Sequence, residues 1–279
     1  MQRRPHQTPN EHFGRGLVLF VIAAVAAGVL APATALPAAA ADTDQFFAVT
    51  SRTEGFAETR WRTRLWVVAG STPADLTFEF YPTALAGLSG PALVAQRSVA
   101  AGAQLYLEDL LGDLWGINGN GAVRLLSTSP VAAFARVVNV KMPPAFEGGT
   151  FGQAMAPITQ DQTMAAGVFP GLFNERISNQ AGFRSNLGWF NPNPTPVTIT
   201  ARVVTRDGEV LGERTFEVPG LSQWLGSVFD TVWTVPQNQR ELQHFSVSYE
   251  TAGGPIFLYA SVVDNVTGDA VTILPQPAP

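Results

Sequence analysis

The stretch Gly182-Phe183-Arg184-Ser185-Asn186-Leu187-Gly188-Trp189-Phe190-Asn191-Pro192 repeats in outline the earlier stretch Arg60-Trp61-Arg62-Thr63-Arg64-Leu65-Trp66-Val67-Val68-Ala69-Gly70. In both, an aromatic residue is followed by Arg, then by Thr or Ser, and two places later by Leu. A Pro-containing turn and a strand-like alternation of apolar and polar residues follow each copy, at 71–80 and 193–200. The two leucines lie 122 positions apart, which indicates that one structural unit is encoded twice.

A short helix is predicted in each copy, because the spacing of apolar residues changes there from two to three and four. We expect this helix to lie with one face on a core and to cross between two sheets. The pattern comprises Leu107, Leu110, Leu111 and Leu114 in the first copy and Leu225, Val228, Phe229 and Val232 in the second.

Each copy closes with a continuous apolar run, at 129–139 in the first and 254–264 in the second. Runs this short, rich in branched and aromatic residues, are typical of a central strand covered on both faces. Several short strands at this spacing favour a β-sandwich. The predicted fold is therefore all-β, with two tandem immunoglobulin-like β-sandwich domains, each with one short helix, after an N-terminal signal peptide.

Proline and glycine set the predicted domain boundaries. Met142-Pro143-Pro144 and Gly148-Gly149 separate the two copies, and the closing Pro-rich segment is expected to be extended or disordered. The predicted division is a signal peptide at 1–41, a first sandwich at 42–145, a linker at 146–160, a second sandwich at 161–274 and a tail at 275–279.

The N-terminal segment predicts export. Arg3, Arg4 and Arg15 precede the apolar run 17–31, and a small-residue stretch then leads to Asp42. A basic region, a short apolar region and a small-residue cleavage site are the features of a secretory signal peptide. We expect cleavage before Asp42 and a periplasmic, cell-surface or extracellular location. The alternative is an uncleaved N-terminal anchor, through which alone a membrane would be contacted.

Composition excludes several classes of chemistry. The chain has no cysteine, so disulfides, thiolate nucleophiles and cysteine-ligated zinc are excluded. Without the leader it keeps 14 of its 17 basic residues and 21 of its 22 acidic residues, a formal charge of −7, and Lys141 is its single lysine. Nucleic-acid binding depends on clustered Lys and Arg. Nucleic acid is therefore not an expected partner, and no cofactor is expected.

Three motifs together carry a family resemblance: Phe-Arg-Ser-Asn-Leu-Gly-Trp-Phe-Asn-Pro at 183–192, Gly-Thr-Phe-Gly-Gln at 149–153 and Tyr-Ala-Ser-Val-Val-Asp-Asn at 259–265. They resemble a group of uncharacterised exported bacterial proteins built from repeated immunoglobulin-like β-sandwich domains. The resemblance covers most of the chain beyond the leader; it implies the same fold and supplies no catalytic residues. The first copy departs from the pattern, with Val-Val-Ala-Gly where the second has Trp-Phe-Asn-Pro.

Few residues are suited to catalysis. His244 is the one histidine beyond the leader, and no Gly-x-Ser-x-Gly motif accompanies it, so a structural or surface role is expected. Glu108 and Asp109 are paired carboxylates, but at a helix start they oppose the helix dipole favourably and need no catalytic role. Asp264 and Asp269 flank a polar turn without the spacing of an EF-hand loop and are weak candidates for calcium ligands. The sequence predicts no catalytic residue and no metal site.

Aromatic residues offer another functional interpretation, a platform for a sugar ring or a partner protein. Trp61, Trp66 and Trp189 are the candidates, with Arg62 and Arg64 beside them. A repeated aromatic residue on a strand is more often core than ligand site. Trp61 and Trp66 are separated by an odd number of positions, so they point to opposite faces of a regular strand. Trp66 then shares a wet face with the arginines.

The expected function is that of an exported, non-enzymatic protein that acts as a binding, adhesive or surface-associated module. Its expected partner is a protein or a polysaccharide of the cell envelope. One alternative is a two-domain periplasmic chaperone that pairs a sheet edge with its clients; the acidic balance disfavours it. Another is a glycan hydrolase that uses Glu108 and Asp109.

Overall fold

The computed structural model describes residues 43–55, 59–83, 87–140, 151–175, 182–236 and 240–278, all of them within one compact unit. The predicted signal peptide at 1–41 lies outside these residues. The regular structure of the described chain is almost entirely antiparallel strand, which confirms the predicted all-β sandwich fold.

The first half of the described chain has two four-stranded layers, β4-β3-β6-β1 and β5-β2-β7-β8. The layers join into one sheet where β1 pairs with β2 over three residues beside their connecting turn. The strands are β1 (Thr43–Glu54), β2 (Arg60–Ala69), β3 (Ala74–Pro82), β4 (Leu93–Val99), β5 (Gln104–Leu107), β6 (Gly119–Ser127), β7 (Val131–Asn139) and β8 (Phe151–Met155), with helix α1 (Leu110–Trp115) between β5 and β6.

The second half has the same pairing order, strand by strand, in two separate sheets, β12-β11-β14-β9 and β13-β10-β15-β16. The strands are β9 (Ala166–Asn174), β10 (Phe183–Phe190), β11 (Val197–Val204), β12 (Val210–Val218), β13 (Gln223–Ser227), β14 (Leu242–Ala252), β15 (Phe257–Asp264) and β16 (Ala270–Ile273), with helix α2 (Val228–Thr231) after β13. Every strand and helix of the first half thus has a counterpart in the second.

The strand order has one departure from an immunoglobulin domain. There, the first strand lies beside the second in one sheet, and the last strand belongs to the other sheet. Here the first strand of the second half, β9, lies beside β14, whereas β15 lies beside β10 in the opposite sheet. The sandwich architecture is kept, with β15 beside β10, where an immunoglobulin domain has its first strand, and β9 in the opposite sheet.

Period-two alternation buries one side of the strands that form most of the two cores. In β11, Val197, Ile199, Ala201 and Val203 point inward and lie in the core of the second half. The same alternation in β2 and β3 buries their inward residues in the core of the first half. A tight hairpin turn joins β11 and β12, and Gly208 has the positive φ of 88° that such a turn requires.

Both predicted helices are present at the crossing between the two layers. Leu110 and Leu111 of α1 and Val228 and Phe229 of α2 are buried, as their spacing predicts. Asp109 is the N-cap of α1, where its side chain accepts a hydrogen bond from the backbone N–H of Gly112.

The segment predicted as a linker, 146–160, carries regular structure in its described part. β8 pairs with β7, and the alternation that buries Gln153 and Met155 places it in the first sandwich. Beyond it, Ile158 forms an isolated antiparallel bridge to Phe46 of β1, and a short 3-10 helix follows at Gln160–Gln162. The first sandwich therefore extends to Met155.

The C-terminal tail is extended, which is one of its two expected states. It forms the same kind of bridge as the segment that contains Ile158. Gln276 forms an antiparallel bridge to Val168 of β9, with backbone hydrogen bonds of 2.9 Å in both directions. Strands β1 and β9 are counterparts, so the segment that follows each sandwich pairs with the first strand of that sandwich.

The two halves meet through an aromatic junction. The ring of Phe46 lies 5.7 Å from that of Phe190 and 5.1 Å from that of Phe257, and Tyr81 lies 5.3 Å from Phe190. Phe190, Phe257 and Tyr259 of the second half therefore belong to the core cluster of the first. At the edge of the junction, Thr83 and Gln223 form a parallel bridge and a side-chain hydrogen bond.

Candidate functional site

The outward side of β2 carries the residues that the sequence predicts for a wet face. Arg62, Arg64 and Trp66 alternate with the buried Thr63 and Leu65 and are all partly exposed. Strand β2 lies between β5 and β7, so its outward side chains form the middle column of a three-strand surface, here called the outer face.

An aromatic row crosses the outer face. Trp66 is directly opposite Tyr106 on β5 and Phe134 on β7. Its ring centroid lies 5.1 Å from that of Tyr106 and 5.8 Å from that of Phe134. Tyr106 and Phe134 are each 43% exposed. Three large rings thus stand together on the surface, where aromatic pairs contribute about 0.5–1.5 kcal/mol beyond their burial.

A charged row runs beside the aromatic row. Arg64 is opposite Arg136, and its guanidinium lies 2.5 Å from the Glu108 carboxylate. Tyr106 also donates a hydrogen bond to Glu108. This hydrogen bond and the ion pair with Arg64 lower the pKa of Glu108. The row therefore presents fixed charges of both signs next to the rings.

A row of smaller side chains borders the aromatic row on its other side. Val68 is opposite Gln104 and Ala132, and all three are exposed. The outer face is therefore a grid of three rows on three strands: small and polar, aromatic, and charged. Within the described part of the chain, no element covers this grid.

Two of the predicted tryptophans lie elsewhere. Trp61 points to the opposite side of β2 from Trp66, as predicted, and packs against the core of the first half. Trp189 is only 8% exposed and contacts Phe216 and Trp224 inside the second half. Trp189 is therefore a core residue, because its position along β10 is one of the inward positions of the alternation.

The paired carboxylates Glu108 and Asp109 are both held by arginines. One Asp109 oxygen lies 2.6 Å from Arg52 and 3.2 Å from Arg62, and the other caps α1. A glycosidase acid needs a raised pKa so that it holds its proton at neutral pH. The pKa of Glu108 moves in the opposite direction. This arrangement is suited to fixing strands and a helix in place.

Asp264 and Asp269 shape the turn between β15 and β16. Asp264 accepts hydrogen bonds from the backbone N–H groups of Val266 and Thr267, at 2.7 and 3.2 Å. Asp269 accepts one from Gly152 of β8, at 3.2 Å. Both carboxylates thus bind backbone amides. Among the described residues, no group of three or more His, Asp or Glu side chains is placed to hold a metal ion.

His244 lies at an irregular point of β14. It is exposed, its φ is 54°, and its ring edge packs against Phe173 at 5.5 Å. The register between β14 and β9 shifts across it, between Leu242 and Phe245, and again between Phe245 and Val247. His244 thus takes part in a bulge at the sandwich surface.

The sequence pattern misses two residues of the outer face, Tyr106 and Phe134. Tyr106 alternates with Leu105 and Leu107, which is a local signal for an outward position. Phe134 lies in the apolar run predicted to be covered on both faces. That prediction is wrong for β7, where Ala132 and Phe134 are exposed, and correct for β15, where Phe257 to Ser261 are all buried. The difference arises because β15 faces the junction and β7 does not.

Comparisons with known proteins add little. No protein-family model and no curated protein matches the chain. A solved structure of a β-glucuronidase from glycoside hydrolase family 2 matches 84% of this chain and 23% of its own, at 11% identity and a TM-score of 0.18. The chain therefore spans about a quarter of that enzyme chain. Within the described ranges, no helix has the length and apolar character needed to cross a membrane.

Proposed function

We propose that this chain is an exported, non-enzymatic binding module, adhesive or surface-associated, which contacts a macromolecule of the cell envelope through the outer face. Export rests on the leader pattern at 1–41. The binding role rests on the outer face. The restraint of Glu108 and Asp109 by arginines supports a module without hydrolytic chemistry.

The exposed aromatic row carries the proposal. Residues of this size are usually buried, and grouped exposed apolar side chains mark interaction surfaces more often than single ones do. Trp, Tyr and Arg are also the side chains that contribute most binding free energy at protein interfaces. Trp66, Tyr106 and Arg64 bring all three types together within one patch.

The charged row gives the outer face its directional contacts. The Arg64 guanidinium lies 2.5 Å from the Glu108 carboxylate, and Tyr106 on the neighbouring strand β5 donates a hydrogen bond to the same carboxylate. Side chains ordered before binding lose less conformational entropy when a ligand arrives. The outer face therefore offers rings for apolar contact beside polar groups in fixed positions.

Binding to immobilised cell-envelope polysaccharides and to secreted envelope proteins tests the proposal. We expect at least one of these fractions to retain the protein. Trp66→Ala combined with Phe134→Ala weakens retention by about thirtyfold or more, because truncating an aromatic anchor costs about 2 kcal/mol or more. The dissociation constant of each variant is the measurement.

The matched control is Phe183→Ala, which removes another exposed aromatic side chain from the second half. This variant should be retained like the unsubstituted protein. A protein that no envelope fraction retains contradicts the proposal, and so does retention that is equal in all three forms.

A further inference from the structure

The second half contains a counterpart of the outer face, position by position. Strand register aligns Trp66 with Gly188, Val68 with Phe190, and Phe134 with Tyr259. The counterpart rows are Gln223, Phe190 and Phe257; Leu225, Gly188 and Tyr259; and Ser227, Asn186 and Ser261. Each grid contains three aromatic residues.

This counterpart grid is an internal docking surface. Phe190, Phe257 and Tyr259 are buried completely or nearly so, because the end of the first sandwich covers them. The covering side chains are Phe46 on β1 and Tyr81 on β3, whose rings contact Phe190. One copy of the face is thus occupied by a neighbouring sandwich, while the other copy is exposed.

The second half also has a counterpart of the covering end. In the first half, Phe46 and Tyr81 are the chain neighbours of Phe47 and Phe80, two residues that both pair with Val123 of β6. In the second half, Val168 and Val204 are the chain neighbours of Phe169 and Val203, which both pair with Val247 of β14. Val168 bridges Gln276 as Phe46 bridges Ile158. Val168 and Val204 therefore mark the second end. Both are partly exposed, and Val210, paired with Val204, is 53% exposed.

Side-chain sizes at the two exposed surfaces complement each other. At the internal junction, rings on the end meet rings on a grid whose centre is the glycine at 188. On the exposed outer face the centre is Trp66, and the exposed end carries valines instead of rings. A large side chain at the centre of the outer face can pack against small side chains at the exposed end, so the total side-chain volume at the contact is similar to that at the internal junction.

We propose that the outer face of one copy of this chain docks on the Val168–Val204 end of a second copy, as the two halves dock within the chain. The proposal rests on the proposed function and identifies its partner as a second copy of the chain. The contact is heterologous, because the two surfaces differ. Each bound copy leaves one outer face and one end exposed, so the association continues head to tail.

Sedimentation of the purified full chain over a concentration series tests this assembly. The average mass should rise continuously with concentration and pass beyond the dimer, since a heterologous contact that does not close adds copies without limit. Phe134→Asp places a charge in the aromatic row and should reduce association at least tenfold. Phe183→Ala should assemble like the unsubstituted protein. Circular dichroism of each variant checks that it is folded.

Disulfide trapping tests the geometry of the contact, and the absence of native cysteine makes the result easy to interpret. Ala132→Cys places one thiol on the outer face, and Val168→Cys places one at the opposite end. Their counterparts within the chain, Phe257 and Phe46, have ring centroids 5.1 Å apart. Under mild oxidation, the mixture of the two variants should form a covalent heterodimer, because disulfides need Cα atoms within about 7 Å. Each variant alone should form no covalent dimer, because only one side of the contact then carries a thiol. Homodimers of Ala132→Cys would indicate a face-to-face contact and overturn the proposal.

The outcomes separate this inference from the proposed function. A protein that stays monomeric at every concentration overturns head-to-tail assembly. If such a monomer is nevertheless retained by an envelope polysaccharide in a Trp66-dependent manner, the proposed function stands and the partner is a sugar polymer. Failure of both assembly and retention overturns both proposals. Assembly that Phe134→Asp leaves unchanged also overturns the inference, since the outer face would then not be the contact.

Discussion

At the scale of single residues, one pair of positions decides whether a sandwich face is flat or ridged. Gly188 and Tyr259 are directly opposite on β10 and β15, and the tyrosine ring lies over the glycine. Trp66 and Phe134 occupy the same positions in the first half, with both rings raised from the sheet. The flat face of the second half fits beneath the neighbouring sandwich, and the outer face of the first half, with its raised rings, remains exposed.

Gly188→Ala is predicted to destabilise the protein. A Cβ at this position would lie 2.2 Å from Cζ and 2.3 Å from Oη of Tyr259, whose ring is completely buried. Overpacking of this kind costs about 1–3 kcal/mol. At this chain size each kcal/mol corresponds to about 2–4 °C in Tm. Thermal unfolding followed by circular dichroism measures the change.

The control is Gly90→Ala, since no atom lies within 4 Å of the added Cβ. Its stability should stay within about 0.5 kcal/mol of the unsubstituted protein, as is usual for surface substitutions. Equal effects at both positions would show that Tyr259 does not require the space above Gly188.

At the scale of elements, one carboxylate connects α1 to two strands. Asp109 caps the helix and also binds Arg52 of β1 and Arg62 of β2. These two strands belong to different layers and pair only near their connecting turn. Asp109 therefore ties the helix to the point where the layers of the first half join.

Graded substitution at Asp109 separates the cap from the ion pairs. Asp109→Asn keeps the cap, because Asn and Asp are equally good N-caps. It leaves Arg52 and Arg62 without their shared carboxylate, so we expect a loss of about 1–3 kcal/mol. Asp109→Ala should cost about 1 kcal/mol more, the usual contribution of a cap. Urea unfolding of both variants measures the difference.

The matched control for the cap is Ser227→Ala at the start of α2, where the serine accepts a hydrogen bond from Phe229 N–H. It should cost about 1 kcal/mol. If Asp109→Asn is as stable as the unsubstituted protein, the two arginines do not depend on this carboxylate.

Local pattern predicts elements better than it predicts their partners. Alternation places Trp66 outward beside Arg62 and Arg64, and the changed spacing after residue 107 predicts α1, because both depend on neighbours within a few positions. Tyr106 and Phe134 join Trp66 through pairings over 40 and 68 positions, which no local pattern encodes. The aromatic row therefore emerges only from the fold.

At the scale of the whole molecule, the second sandwich completes the core of the first while keeping a core of its own. Phe190, Phe257 and Tyr259 come from the second half but cluster with the core of the first. The two-unit pattern in the sequence does not reveal this sharing. The position of the neighbouring sandwich explains why two similar apolar runs differ in burial: β15 faces the other sandwich and is buried on both faces, whereas β7 is exposed on one face.

The aromatic junction predicts that the unsubstituted protein unfolds in one transition. Phe257→Ala removes a ring that packs against both Phe46 and Phe190 and should cost about 3–5 kcal/mol. Because this ring joins the two sandwiches, we expect the halves of the variant to unfold separately. Scanning calorimetry measures this as a van't Hoff enthalpy that falls below the calorimetric enthalpy.

The matched control is Phe245→Ala, which truncates a ring buried wholly within the second half. It should lower Tm by a comparable amount and keep a single transition, because the junction is intact. A single transition in Phe257→Ala as well would mean that the halves are coupled through side chains other than this ring.

Because of the bridges made by Ile158 and Gln276, the two sandwiches are connected in a way that protein engineering could repeat. Each sandwich is followed by a short segment that returns to its own first strand, and in the first half that segment leads directly into the next sandwich. A third unit fused after Gln276 would begin from the same geometry, and its aromatic grid would face Val168 and Val204. Synthetic rods of chosen length could then be encoded by repeating the gene segment for one sandwich.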